Sequence, residues 1–362
     1  MSLIVVRGYG AVSPAGWGIA AFREALAKGE PLETKPLIRP GWLRALPIRP
    51  VPPLPHRPSF MAHARLRRAS AISQYAVAAA IEALGSDLHK VSEGSVRLGV
   101  VCCVLSGGVN YSSRFYSETL QDPTSASPLV FPETVFNAPA SHVAALLGTT
   151  EINYTMVGDS GTFLLGLALA AEWLSDGQVD GCVVVGAEER DWLTADAFHR
   201  FEPGITMSDG AGALYLSRGV ERDSGIQLSG ITDAHPFLQK RGRVLASRAM
   251  RAQLPDSSPN HLLCDGTQQL PRLDAAEIAS WADWTGPRLS PKEVFGESLA
   301  ASGAWQCVAA IDALRANRYA AANVSVVGCN QQAIGAHFVN LNFLQTQRSG
   351  LTPSATGARI AD

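Results

Sequence analysis

The sequence predicts an α/β fold in which helix and sheet layers are stacked around buried central helices. Strands such as "VRLGVVCCVL" and "DGCVVVGAEE" are apolar along their whole length, which is typical of a sheet covered by helices on both faces. Two helices, at 162–177 and 296–316, are apolar on nearly every side and should lie in the interior. The alternation of strands and helices restarts after residue 226, so two similar halves are expected.

The N-terminal half, residues 1–220, begins with an apolar strand and a glycine turn. Its predicted elements are a strand at 3–7, helices at 19–28, 70–85, 141–148 and 162–177, and strands at 96–105, 180–189 and 210–219. Residues 31–58 hold nine of the 22 prolines. Because proline fixes φ and lacks an amide proton, we expect an extended loop that wraps the surface, with a proline-rich ligand for another domain as the alternative.

The C-terminal half, residues 221–348, repeats the alternation. Its predicted elements are strands at 226–232, 322–330 and 338–344, the apolar segment 261–267, and helices near 241–252 and at 296–316. The last residues, 349–362, are polar and small, so a loose tail is expected there.

The composition limits the classes of function. With 46% hydrophobic and 17% charged residues the chain can bury a large core, and a net charge of −2 gives no basic excess for nucleic acid. No apolar run of about 18 residues is present, so no membrane span is expected, and the N-terminus lacks the features of a signal peptide. The six cysteines form no C-x-x-C pair, which favours a reduced cytoplasmic protein with buried thiols.

The motif "VGDSGT" at 157–162 raises the question of a serine nucleophile. It looks like the serine motif of chymotrypsin-like proteases, but such a chain would be all-β, with a histidine and an aspartate in earlier segments. Here the motif opens a long apolar helix, and the second glycine of a G-x-S-x-G hydrolase elbow is absent. Both hydrolase interpretations are disfavoured, and the role of Ser160 needs another explanation.

Several segments resemble the β-ketoacyl synthases of fatty-acid and polyketide synthesis. "VVRGYGAVSPAGWGIAAFREALAKGE" is similar to the opening strand, turn and helix of that family, and "SDGAGALYLS" to its G-[ED]-G-A-G-[AG]-L-x-L segment. Residues 132–160 follow the family pattern without a gap as far as its catalytic cysteine. The resemblance covers most of residues 1–345 and implies the family's thiolase-like fold, layered αβαβα with two similar halves.

The departures from the family fall on its catalytic groups. Ser160 occupies the position of the nucleophilic cysteine, and Asp265 and Glu297 those of the two histidines in the H-G-T and K-x-x-x-G-H motifs. In the family, a thiolate at a helix N-terminus accepts the acyl chain, and the histidines donate hydrogen bonds to the thioester oxygen. An alcohol needs a general base, and ionised carboxylates have no proton to donate. Decarboxylative condensation is therefore expected to be absent.

The resemblance also implies which residues would meet an acyl chain. Residues 330–337 match the family's gating loop, in which an isoleucine here replaces the gating phenylalanine. Residues 127–144 match its dimer-interface segment. The substrate-binding candidates are Phe136, Asn330, Ile334 and Gly335. No cofactor is expected, and the spacing of the acidic residues and histidines matches no metal motif.

Two functions of different classes fit these residues. The first is a non-condensing subunit like a chain length factor, which pairs with an active ketosynthase of a type II polyketide or fatty-acid-type synthase and shapes its acyl tunnel. The second is a serine acyltransferase or thioester hydrolase, in which His337 or a carboxylate acts as base for Ser160. We favour the first. The expected partners are an acyl carrier protein or acyl-CoA and a ketosynthase in a heterodimer, or a second copy in a homodimer.

Overall fold

A computed structural model describes residues 3–39, 41–54, 56–220, 225–238, 240–329 and 331–343. The predicted tail at 349–362 and the substrate-binding candidate Asn330 lie outside the described residues.

The described residues form strands and helices with the following bounds. The strands are β1 Ile4–Ser13, β2 Gly16–Trp17, β3 Lys35–Ile38, β4 Ala45–Arg49, β5 Leu98–Val104, β6 Asn153–Val157, β7 Gly181–Glu188, β8 Met207–Ser208, β9 Gly210–Arg218, β10 Ile226–Ile231, β11 His235–Pro236, β12 His261–Cys264, β13 Arg288–Leu289, β14 Ala321–Val327 and β15 Gln332–Asn340. The helices are α1 Ile19–Lys28, α2 Ala71–Leu84, α3 Leu88–Ser92, α4 Val109–Gln121, α5 Ala138–Leu147, α6 Thr162–Ser175, α7 Trp192–Phe201, α8 Lys240–Arg251, α9 Pro271–Ser280, α10 Pro291–Phe295 and α11 Ala300–Arg315.

The main sheet consists of two five-stranded halves with the same strand order. The N-terminal half runs β6-β5-β7-β9-β1 and the C-terminal half β13-β12-β14-β15-β10. Counted along the chain, both orders are 3-2-4-5-1, and in each half the fifth strand is antiparallel to its neighbours. The halves join where β1 pairs antiparallel with β10. The predicted α/β class with two similar halves is therefore confirmed.

The third strand of each half leads to a central helix, α6 in the first and α11 in the second. Phe163 and Leu167 of α6 share one apolar core with Ala304 and Val308 of α11. The outer face of the first half-sheet is covered by α2 and α5, and that of the second by α8 and α9. Strands β5, β7 and β14 are buried along their whole length, as their continuous apolar sequences predict.

The proline-rich segment differs from the prediction, because it is not a continuous loop. Strands β3 and β4 form a hairpin, and β4 pairs with β8, which lies more than 150 residues further along the chain. Leu46 and Ile48 are buried, whereas Pro47 between them faces outward. The alternation of buried and exposed side chains thus makes a strand despite the prolines, which lie where no donated hydrogen bond is needed. Helices α4, α7 and α9 were also not predicted from the sequence.

Candidate active site at Ser160

Ser160 lies in the turn between β6 and α6, where the two central helices meet. The amide of Thr162 donates to the carbonyl oxygen of Asp159 at 3.0 Å, so Ser160 precedes the first turn of the helix. A Cβ atom at Gly303 of α11 would overlap the carbonyl oxygen of Ser160. Glycine at this position therefore lets the second central helix approach the turn closely. Ser160 is only 1% exposed as a result.

The hydroxyl of Ser160 contacts a buried ion pair. Ser160 Oγ donates to Glu297 Oε1 at 3.3 Å, and Glu297 Oε2 lies 2.7 Å from Lys292 Nζ. Burial alone would lower the pKa of the Lys292 ammonium, but the Glu297 carboxylate beside it raises that pKa above its ordinary value. The lysine is therefore charged at neutral pH. The structure thus brings together two of the predicted site residues, Ser160 and Glu297.

The same carboxylate is already committed to other donors. The amide of Leu299 donates to Glu297 Oε1 at 2.8 Å, in addition to the Lys292 ammonium on the other oxygen. The carboxylate therefore accepts from an ammonium and an amide as well as from Ser160. It also has no proton with which to stabilise an enolate. The pairing of Lys292 with Glu297 was not predicted, although their five-residue spacing was visible in the sequence.

A cysteine also borders this site, although the sequence analysis assigned it no role. Cys329 Sγ lies 3.9 Å from Glu297 Oε2 and is buried. Burial, and then the Glu297 carboxylate, raise the pKa of this thiol to about 12. The group is therefore a neutral thiol near pH 7, and it does not replace the thiolate of a condensing enzyme.

Asp265 follows β12 in a separate group of polar side chains. Its Oδ1 accepts from Thr267 Oγ1 at 2.9 Å and from Ser290 Oγ at 2.6 Å, and its Oδ2 lies 3.6 Å from Arg288. Among the residues that the structure describes, no hydrogen bond joins it to Ser160. Asp265 thus acts as a hydrogen-bond acceptor in this group.

Another buried acid, Glu277, lies near Asp265 and was not predicted. The amide of Gly266 donates to its carboxyl at 3.1 Å, and Ser325 Oγ donates to the same carboxyl at 2.5 Å. Burial, and then the charge of Asp265, raise the pKa of Glu277 to about 8. An isolated glutamate in helix α9 has no sequence signal that distinguishes it from a surface residue, so only the fold reveals its burial.

His337 lies on the far face of β15 and does not reach Ser160. Its Nδ1 is 2.8 Å from Asn323 Oδ1, and its ring centroid is 6.3 Å from that of His261. Burial, and then His261, lower its pKa to about 4. Because side chains alternate along a strand, His337 points away from the face that carries Ile334. A catalytic base for Ser160 is therefore better sought in Glu297 than in this imidazole.

The segment matched to a gating loop is mostly strand. β15 already begins at Gln332, and the turn before it is closed by a 2.9 Å bond from the Gly328 amide to the Gln332 carbonyl. Ile334 is fully buried against Gly161, and Gly335 donates to Thr232 Oγ1 at 2.9 Å. The expected loop is therefore corrected for residues 332–337, because pairing with β14 and β11 extends the strand into this part of the segment.

Asp159 fixes the turn that contains Ser160 through two hydrogen bonds. Its amide donates to Gln331 Oε1 at 2.9 Å, and its Oδ1 accepts from the Gly161 amide at 3.1 Å. Burial raises the pKa of this carboxyl. The "VGDSGT" motif is thus held by a polar network on both sides of Ser160, which leaves little freedom for the serine to move.

The segment 127–144 carries a row of exposed apolar side chains. The exposed apolar residues of this segment and of the neighbouring helix α4 are together called the apolar surface. Its members are Tyr116, Leu120, Leu129, Phe131, Val135 and Phe136. The rings of Phe115 and Phe131 are 5.5 Å apart, which joins α4 to the segment. Phe136 is 48% exposed and packs against Gly107. A buried pair, Glu133 and His142 at 2.7 Å, fixes the segment from within.

Strand β6 extends this surface at the edge of the sheet. Asn153 Nδ2 donates to the carbonyl of Ala140 at 3.1 Å, so the strand lies beside the start of α5. Tyr154 and Val157 on this strand are 53% and 54% exposed. An edge strand with exposed apolar side chains is a ready site for another chain.

The described residues form neither a cluster of metal ligands nor a membrane-spanning helix. Within the described ranges, no group of three or more His, Cys, Asp or Glu side chains is arranged to hold a metal ion. Among the helices that the structure describes, none is both long and apolar enough to cross a membrane.

Comparison with known proteins gives similarity in structure only. No protein-family model matches the chain, and no curated protein matches its sequence. A β-ketoacyl synthase from Burkholderia phymatum STM815 has a TM-score of 0.76 at 17% identity, with 94% of this chain and 100% of that chain covered.

Two complexes are also similar. A ketosynthase in complex with its chain length factor from Xenorhabdus doucetiae has a TM-score of 0.74 at 15% identity, covering 94% of this chain and 98% of that one. A type II polyketide synthase acyl-carrier protein in complex with its ketosynthase bound to the hexaketide has a TM-score of 0.73 at 15% identity, covering 94% and 99%. The chain therefore has the ketosynthase-type, thiolase-like fold that its motifs implied.

Proposed function

We propose that this chain is a non-condensing ketosynthase-like subunit, comparable to a chain length factor, of a type II polyketide or fatty-acid-type synthase. The observation that carries the proposal is the buried contact of Ser160 with the Glu297–Lys292 ion pair. It puts an un-ionised alcohol and an acceptor-only carboxylate where condensation needs a thiolate and a hydrogen-bond donor.

Pairing with a condensing ketosynthase is supported by the apolar surface and by strand β6. These lie together at one edge of the sheet and are exposed. Exposed aromatic side chains in one patch are typical of an interface. In such a dimer Phe136, half-exposed beside Gly107, is the residue of this chain that we expect to border the partner's acyl tunnel. Ile334 is covered by its own fold and would act only by supporting Gly161.

A cytoplasmic location fits the same proposal. All six cysteines are buried and free, which agrees with a reducing compartment.

One observation favours a second function, a serine acyltransferase or thioester hydrolase. Ser160 Oγ is within hydrogen-bond distance of Glu297, so a base is present in the correct place. For this function Ser160 would have to become accessible from its present 1% exposure.

Intact-mass measurement distinguishes the two functions. After incubation with acyl-carrier protein or acyl-CoA, we expect no stable acyl adduct on the chain, because Ser160 is buried and lacks a strong base. A condensing ketosynthase with an intact cysteine, treated in the same way, should become acylated. An adduct on the wild-type chain that disappears in Ser160→Ala would exclude the inert-subunit proposal and support the acyltransferase.

An arginine-rich surface supports a carrier protein as partner. Residues 34–81 contain no Asp or Glu but eight Lys or Arg, at positions 35, 39, 44, 49, 57, 65, 67 and 68. Arg57, Arg65, Arg67 and Arg68 are exposed, and none forms an ion pair within the described ranges. An acidic carrier protein would supply the missing charges, which favours it over acyl-CoA as the partner.

Charge reversal tests this surface. The double variant Arg65→Glu/Arg67→Glu should weaken binding of an acidic acyl-carrier protein about tenfold in low salt, because attraction becomes repulsion. Isothermal titration at two salt concentrations measures the change. The control Arg248→Glu/Arg318→Glu makes the same charge change at exposed arginines of the other half and should leave binding unaltered. Equal weakening by both doubles would mean that only net charge matters.

A further inference from the structure

A small cavity lies beside the loop that carries Glu297, and it belongs to neither function proposed above. Its volume is about 10 Å³, which is room for one particle the size of a water molecule. It is lined by residues of both halves, among them Asp191 and Ser208 of the first half and Ser298 of the second.

Three polar atoms of this lining have no hydrogen-bond partner among the described residues. They are Asp191 Oδ2, Ser208 Oγ and Ser298 Oγ. Their residues are 6%, 4% and 0% exposed, so water outside the protein does not satisfy them. Buried polar atoms in proteins are nearly always paired. Three unpaired oxygens that line one cavity therefore indicate an occupant that binds oxygen.

Acidic side chains of the lining are bound by backbone amides and not by cationic side chains. Glu188 accepts from the amides of Leu105 and Ser106, and Asp191 accepts from the Thr194 amide at 2.7 Å. Amide bonds stabilise a carboxylate but leave its charge in place.

The neighbouring Glu189 is similar, with the amide of Asn110 at 2.9 Å. Within the described part of the chain, none of Glu188, Glu189 and Asp191 forms an ion pair. The one lining cation, Arg190, is engaged with Asp209 at 2.8 Å. Three buried carboxyl groups thus line the cavity without a partner of opposite charge, which would be costly for each of them in its ionised form.

We propose that this cavity holds one monovalent cation, of the size class of sodium, potassium or ammonium, bound by Asp191 Oδ2 and the hydroxyls of Ser208 and Ser298. The three unpaired atoms are all oxygens, which favours a hard cation, and the single free carboxylate oxygen among them favours a single over a double charge. Burial raises the pKa of Glu188 to about 8, and a bound cation would favour its ionised form.

The site would also connect the two halves of the chain at a functional position. Asp191 begins helix α7 in the N-terminal half, whereas Ser298 directly follows Glu297 in the C-terminal half. The Leu299 amide, one residue further on, donates to Glu297. The cation would therefore stabilise the loop that positions the Glu297–Lys292 pair.

Thermal unfolding in different chloride salts tests the proposal. The salts are compared at equal ionic strength, with the cation at about five times its dissociation constant. The midpoint of thermal unfolding of the full-length protein should then be about 2 °C higher in one of sodium, potassium or ammonium chloride than in choline chloride. Asp191→Asn should abolish this difference. Asparagine can still accept from the Thr194 amide as the helix cap, so the helix start is retained. The control Asp196→Asn removes an acid of the same helix that pairs with Arg200, and should keep the difference.

Crystals of the wild-type protein grown with thallium(I) supply an independent measurement, which remains valid if Asp191→Asn fails to fold. An anomalous peak between Asp191 and Ser298 is expected. Equal midpoints in all four salts together with no thallium peak would overturn the proposal and leave water as the occupant. Cation-dependent stability that survives in Asp191→Asn would overturn it as well, because the cation would then bind elsewhere.

Discussion

Replacing Lys292 by methionine is expected to lower the free energy of unfolding by about 3 to 5 kcal/mol. The ammonium is 2% exposed and is the only cationic side chain within 4.0 Å of Glu297 in the described structure. Without it, a fully buried carboxylate would lose its ion pair and would have to take up a proton or remain charged in an apolar surrounding. Chemical denaturation followed by tryptophan fluorescence measures the loss.

Two further variants make this result specific to the buried pair. The double variant Lys292→Met/Glu297→Leu removes both charges and should recover most of the stability lost in the single variant. Lys90→Met breaks an ion pair of similar length, 2.8 Å to Asp87, but on the surface, and should cost less than about 1 kcal/mol. If Lys292→Met lowered the free energy of unfolding as little as Lys90→Met does, Glu297 would have to be neutral in the folded protein.

Phe131→Asp is expected to raise the dissociation constant of the dimer at least about 30-fold, whether the partner is a condensing ketosynthase or a second copy. The side chain is 54% exposed in the apolar surface, so a carboxylate there is hydrated in the monomer and must lose its water in an interface. Sedimentation velocity over a range of concentrations measures the change.

Leu193→Asp is the matched control for the interface. Leu193 is 69% exposed on helix α7, outside the apolar surface, and the same charge there should leave the dissociation constant unchanged. Phe131 is exposed in the folded chain, so both variants should fold with near-wild-type midpoints. An unaltered dimer in Phe131→Asp would show that association uses another face.

The sequence predicted the elements whose signal is local. The continuous apolar strands β5 and β7 and the central helices α6 and α11 are present where the patterns placed them, since burial on all sides requires apolar residues throughout. The contact of Ser160 with Glu297 also followed from motif positions, although the positions are 137 residues apart.

Features that depend on distant pairing were not predictable from local patterns. Strand β4 forms because β8 is available beside it, and the extension of β15 to Gln332 depends on β14 and β11. The position of His337 in the sequence does not show which face of the sheet it occupies. A shift of the strand register by one residue would move its side chain to the other face, so only the register decides. Buried acids such as Glu188 and Glu277 look like surface residues in a single sequence.

The two ends of the long sheet are unequal. At one end β13 consists of two residues, Arg288 and Leu289, which offer too few backbone groups to align another chain. At the other end β6 presents five residues. The sheet can therefore grow in one direction only. In the described structure, association by adding a strand to the main sheet uses the β6 edge of each molecule, so it closes at two chains and does not continue into a fibre.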